Sequence, residues 1–108
     1  FVIHTVGPIY SGDNPEEPRL LEACYRNCLA LAVAENLRTV AFPSISTGAY
    51  GYPVQKAAPL ALQTVAEYLQ EKVTAEATGS CLVEVVFCLF SEQDYRIYAN
   101  GLQALTGS

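Results

Sequence analysis

Apolar residues follow two periods along this chain. Three short runs, Phe1 to Val6, Thr39 to Ile45 and Cys81 to Phe90, are rich in apolar and β-branched residues and predict buried strands. Between and after them the apolar positions recur every three or four residues. Leu20, Leu21, Cys24, Cys28, Leu31 and Ala32 share one face of a predicted helix that runs to about Asn36. Asn14 is its expected cap, with Pro15 at the first helical position and Glu17 three residues past the cap, and Pro18 is expected to blur the start by a turn. A second helix is predicted from Pro53 to about Lys72, with Leu62, Val65, Ala66 and Leu69 on one face. A third runs from Glu92 to about Leu105, where Tyr95, Tyr98, Ala99 and Leu102 line up. Pro59 lies inside the second, where its missing donor predicts a kink or a delayed regular start. Gly7-Pro8, the turn Ser11 to Asn14 and the polar stretch Thr74 to Ser80 punctuate the elements.

These are three βα units in a row with no internal repeat. Strands that alternate with long helices predict an α/β fold whose sheet is mostly parallel and covered by helices on both faces. Ligands of such sheets bind at the carboxyl ends of the strands, and the loop leaving the second strand, Ser44 to Tyr52, falls there.

With 108 residues, 51 % of them hydrophobic, the chain can bury one core and has no room for a second domain. Its net charge of −5 comes from 11 acidic and 6 scattered basic residues, which argues against broad binding to a DNA or RNA backbone. A small dianion stays open, because main-chain donors can hold one. No run approaches the ~18 consecutive apolar residues of a membrane span. Cys24 and Cys28 fall on one helical face and, with Cys81 and Cys88, read as reduced, small apolar residues of a cytoplasmic, intracellular protein. Zinc would want Cys-x-x-Cys pairs or histidines at ligand spacing, so no metal site is expected and no cofactor is called for. His4 is the single histidine; inside an apolar run it reads as a hydrogen-bonded structural residue. Asp13, Glu16 and Glu17 read as a solvated helix start.

The segment richest in chemical information is FPSISTGAYGYP, residues 42–53. A strand runs into small hydroxyl residues and two glycines, Gly48 and Gly51, and Pro53 then opens a helix. Successive N–H groups of such a loop, with the unpaired N–H groups and positive dipole end of the helix, form a site for phosphate oxygens. No lysine or arginine lies between Arg38 and Lys56, so an anion here would be held mainly by backbone. A bare strand-to-helix turn uses the same glycine spacing, and neither the Walker-type nor the dinucleotide glycine fingerprint is present. Ser44 and Ser46 have no nucleophile elbow around them and no carboxylate–histidine partner, which argues against a serine hydrolase.

Four segments occur in order: VIHTVGP over 2–8, CYR over 24–26, STGAYGYP over 46–53 and FSEQDY over 90–95. Together they resemble the macrodomain family, in particular the branch of ADP-ribosylhydrolases that remove mono-ADP-ribose and deacetylate O-acetyl-ADP-ribose. The resemblance runs from Phe1 to about Leu105. It implies a three-layer α/β/α sandwich with a mixed, mostly parallel sheet, of which residues 1–108 would be the C-terminal portion, the N-terminal part being missing. That part would carry an Asn-Ala-Ala-Asn strand end and a glycine-rich loop with an Asp, and one of its strands would lie between Phe1 to Val6 and Thr39 to Ile45. The 108 residues alone are then expected to leave a gap in the sheet and to lack hydrolase activity.

The resemblance implies that Gly48, Ala49, Tyr50 and Gly51 wrap the pyrophosphate and distal ribose of ADP-ribose through backbone N–H groups, with the Ser44, Ser46 and Thr47 positions beside them. Tyr50 would wall off the distal ribose and help position an attacking water, or else pack for stability. Phe90 would stack on adenine, or else close a strand as a core residue. Family members often have Asp after this aromatic, where this chain has Ser91. Tyr10 and Arg26 are expected to serve packing and surface pairing. The implied function is a hydrolase acting on ADP-ribosylated substrates or O-acetyl-ADP-ribose; the alternatives are a non-catalytic ADP-ribose reader and a structural domain without a ligand. Oligomeric state is not encoded in any of these features.

Overall fold

The computed structural model of the protein describes residues 3–12, 14–48, 50–74, 84–89 and 91–106. Helix α1 (Glu16–Ala34) starts where Asn14 Oδ1 accepts the Glu16 N–H at 2.9 Å. Pro18 sits in the first turn, where no intrahelical donor is lost, so the start is not blurred. Glu17 corrects the reading of a solvated helix start. It is 4 % exposed, and its carboxylate accepts the Ser11 N–H at 2.7 Å, tying the preceding turn to the helix.

The inner face of α1 is Leu21, Cys24, Tyr25, Cys28, Leu29 and Ala32. Leu20 and Leu31, placed on that face by spacing, are half exposed. The stripe is rotated by about one residue because the large side chains Tyr25 and Leu29, both fully buried, mark its centre. Arg26, on the flank, pairs with Glu22 one turn back and reaches Glu67 and Glu71 of the next helix, the surface role expected of it.

Strands β1 (Thr39–Phe42) and β2 (Glu84–Phe87) pair in parallel, Thr39 opposite Glu84 through Phe42 opposite Phe87. Parallel neighbours need a crossover, supplied by helix α2 (Val54–Thr74). Strand β1 is shorter than the apolar run predicts because Pro43, which has no N–H to donate, follows Phe42. Helix α2 is continuous through Pro59, so a delayed start is not found; Pro59 is exposed.

The run expected as a first strand forms none among its described residues, 3–6. A strand is defined by a ladder partner, and this stretch has none among the described residues; Val6 is 79 % exposed and its carbonyl is met by Cys24 Sγ at 3.4 Å. His4 is likewise exposed and makes no hydrogen bond among the described residues, which corrects its reading as a bonded structural histidine.

Helix α3 (Glu92–Thr106) is capped by Ser91, whose Oγ accepts the Asp94 N–H at 3.1 Å. Of its expected apolar face only Tyr98 is buried, while Tyr95 and Leu102 are more than half exposed. Helix α2 packs on both α1 and α3. The core closes on an aromatic row in which Tyr25 meets Phe42 edge-on at 5.0 Å, Phe42 stacks on Phe87 at 5.9 Å and Phe87 tilts against Tyr98 at 5.2 Å. That row runs from α1 across both strands to α3 and ends beneath the loop that leaves β1.

Candidate functional site

The chain leaves β1 through Pro43 and enters α2 at Val54, and everything between is folded by its own hydrogen bonds. Ser44 O accepts both the Thr47 N–H at 3.4 Å and the Thr47 hydroxyl at 2.9 Å, closing one turn. Gly48 O accepts the Gly51 N–H at 3.0 Å, closing a second, and Ser46 O accepts the Tyr52 N–H at 2.9 Å, clamping the two together. Gly51 has φ +76°, which only glycine adopts without strain. Ser46 has φ +68° and does carry a side chain.

Alternation in these bonds determines what the loop offers. The N–H groups of Ile45, Thr47, Gly51 and Tyr52 are engaged, whereas those of Ser44, Ser46, Gly48 and Tyr50 have no partner among the described residues. The last three of these donors follow the turn at Ser46 on one short loop that leads into the first turn of α2, which contains no acidic residue. The chain has no Asp or Glu from 36 through 66, so no carboxylate of the loop, or of the strand and first helical turns beside it, opposes an anion at this place. Net negative charge elsewhere does not contradict a local anion site made of backbone dipoles.

A cavity of about 580 Å³ separates β1 and residues 43–46 from residues 3–7, the place where the resemblance implies a further strand, and at its loop end Gly48 and Tyr50 form the rim. Its floor includes Val40, Phe42 and Cys28, whose thiol is pushed above its ordinary value chiefly by burial. Of the residues singled out from sequence, Ser44, Ser46, Gly48 and Tyr50 line this cavity together. Thr47 and Gly51 stand behind it and shape the turns. Ala49 and Phe90 lie outside the described residues. Tyr50 is 38 % exposed at the cavity rim.

Several residues that spacing did not flag hold this loop. Tyr10 N–H donates to Tyr50 O at 2.9 Å, and its ring tilts against Tyr52 at 4.9 Å. Lys56 Nζ donates to the Tyr10 hydroxyl at 3.0 Å, a contact that raises the lysine pKa and keeps its charge at the mouth of α2. Burial, followed by the nearby Glu17 carboxylate, raises the pKa of Tyr52. Beneath the loop, Ser44 Oγ and the Tyr98 hydroxyl are 2.7 Å apart, and the Tyr25 hydroxyl accepts the Ile45 N–H at 3.1 Å. Ser46 Oγ is buried without a hydrogen-bond partner among the described residues. No group of histidine, cysteine and carboxylate side chains suited to a metal ion occurs among the described residues.

Residues 1–61 match the Macro domain family. A macro domain-containing protein of Chlorobaculum tepidum is 50 % identical over 104 residues, covering 96 % of this chain and 56 % of its own length. An O-acetyl-ADP-ribose deacetylase of Salmonella typhimurium is 45 % identical over 99 residues, covering 92 % of this chain and 51 % of its own. This chain thus spans about half the length of these relatives. Among solved structures, the Oceanobacillus iheyensis macrodomain with ADP superposes with a TM-score of 0.85 at 44 % identity, over 96 % of this chain and 50 % of that one. The Trypanosoma brucei macrodomain in complex with ADP-ribose gives 0.75 at 37 % identity, over 90 % and 37 %.

Proposed function

The chain belongs to the macrodomain family, and on that premise we propose that its 43–52 loop holds the diphosphate of ADP-ribose and that the protein of which it is part hydrolyses an ADP-ribosyl or O-acetyl-ADP-ribose ester. The observation that carries the binding step is the set of free N–H groups at Ser46, Gly48 and Tyr50, on a loop with no cation of its own. Main-chain donors fixed by two turns bind phosphate oxygens without reorganising. Gly48 faces open space, so the ligand can come down onto the backbone there. On this reading Tyr50, at the rim of the cavity, covers the distal ribose and restricts where water approaches the scissile ester. Restraint of substrate and water in attack geometry is the source of rate that such a rim supplies. A second reading, a reader that binds and does not turn over, has the same loop in its favour.

Calorimetric titration with ADP-ribose tests the binding step. Gly48→Glu should be tolerated by the fold, because nothing lies within 4 Å of the added Cβ, yet it brings a negative charge to the diphosphate. Its affinity should fall by at least about tenfold, equivalent to ~1.4 kcal/mol. Equal affinities for the parent and the variant would remove the loop as the diphosphate site.

A further inference from the structure

Where β1 ends, its backbone is handed from a strand neighbour to two phenols. The last ladder bond is that of the Cys88 N–H to Phe42 O at 2.7 Å. Past it Pro43 cannot donate, and two residues on the Ile45 N–H is buried and goes to the Tyr25 hydroxyl at 3.1 Å. The same hydroxyl lies 3.5 Å from Pro43 O, as its donor. From the same face of the sheet, where Phe42 and Phe87 stand side by side, Tyr98 of α3 meets Ser44 Oγ at 2.7 Å. Three consecutive residues, 43, 44 and 45, are thus fixed by one side chain of α1 and one of α3.

We propose that Tyr25 and Tyr98 are positioning residues that set the conformation of the anion loop. Neither touches the open side of the cavity. The Tyr25 ring is fully buried and lodged against Phe42, and Tyr98 is 4 % exposed against Phe87. The next residue after the bracket is Ser46, whose positive φ is a conformation that a side-chain-bearing residue holds only where its surroundings over-determine it. The direction taken there decides where the free N–H groups of Ser46, Gly48 and Tyr50 point. Burial keeps both phenols above their ordinary pKa, so each stays protonated. The consequence for ligand affinity rests on the functional reading above; the consequence for the loop does not.

Amide hydrogen exchange and ADP-ribose titration, run side by side on the protein, on Tyr25→Phe and on Tyr98→Phe, test this. A comparison variant, Val65→Ala, lowers stability from the middle of α2 without approaching the loop. Tyr25→Phe keeps the ring and leaves the Ile45 N–H without an acceptor. Exchange at Ile45, and at Tyr52 whose N–H bonds Ser46 O, should speed up about tenfold relative to α2 amides, with a parallel loss of about tenfold in ADP-ribose affinity. Tyr98→Phe should shift both quantities in the same direction. Val65→Ala should leave the ratio of loop to helix exchange as in the parent. Should Tyr25→Phe fail to fold, the Tyr98→Phe ratio decides. An unchanged loop-to-helix ratio, or a ratio that moves equally in Val65→Ala, overturns the proposal. Failure of the parent to bind ADP-ribose would overturn the diphosphate reading while the exchange ratios still decide the bracket.

Discussion

Replacing Gly7 with alanine probes how residues 3–8 seat against the loop. A methyl group built at Gly7 runs into Ser46 Oγ and comes within 2.7 Å of Ile45 Cγ2. Ser46 has little freedom to yield, because its Oγ is buried and its backbone already occupies the narrow left-handed region. Overpacking of this kind costs about 1–3 kcal/mol. Ser46→Gly acts in the opposite sense. It removes the blocking atom and relieves about 1–2 kcal/mol of left-handed strain, against roughly 0.5–1 kcal/mol of extra chain entropy in the unfolded state. That single change should therefore be close to neutral or slightly stabilising. In the double variant only the Ile45 contact remains, so Gly7→Ala should cost about 1 kcal/mol less there than in the parent. For a chain of this size that coupling corresponds to about 4–8 °C in Tm. Denaturant unfolding of the four proteins closes the cycle. Additive free energies, with Gly7→Ala equally costly whether or not Ser46 keeps its side chain, would refute the close approach of Gly7 to Ser46 as the reason for glycine at this position.

Tyr50→Ala should slow ester hydrolysis more than it weakens ADP-ribose binding, read as kcat against calorimetric affinity; a variant with full turnover would leave Tyr50 without a role in the reaction. Ser91→Ala removes the acceptor for the Asp94 N–H and should cost about 1 kcal/mol of stability, with the loss confined to α3 amides in hydrogen exchange. Stability should also fall at alkaline pH. Because burial holds Tyr25 and Tyr98 above the ordinary tyrosine value of 10.0, the unfolded chain gives up these protons first as pH rises. Their contribution is whole below that value and is lost above it, as pH climbs toward the folded-state pKa. Urea midpoints should drop steeply above pH 10.0, less so in Tyr98→Phe, and a midpoint unchanged there would contradict the burial of both phenols.

The order of strand, loop and helix around residues 39–53 was legible because periodicity and turn chemistry are local. So were the Asn14 start of α1 and the surface pairing of Arg26, each set by neighbours within a turn or two. The bracket under the loop was not. Tyr25 and Tyr98 meet Ile45 and Ser44 across 20 and 54 residues of sequence, and nothing in their spacing distinguishes them from ordinary core aromatics. Tyr98 did fall on the predicted inner face of α3, but as one of four residues, three of which are exposed. The run at residues 3–6 is a different case. It has no ladder partner among the described residues, in keeping with the expectation that a further strand separates it from β1, and a ladder to such a neighbour cannot be read from local periodicity. Glu17 shows the converse, a carboxylate that composition assigns to solvent and that a single backbone donor draws inside.

The two halves of the bracket also differ in when they can form. Closing Ile45 onto Tyr25 ties off 20 residues, about half of them helix; closing Ser44 onto Tyr98 ties off 54 and needs the crossover through α2 and β2 to be complete. By chain statistics the longer closure costs about 0.9 kcal/mol more. It is also held by a helix whose outer face is largely solvated, so it is the first to open when the molecule breathes. Local opening of α3 would thus release the Ser44 side of the loop while the Ile45 side stays tied to α1, so the two ends of one anion loop are coupled to two separate helices.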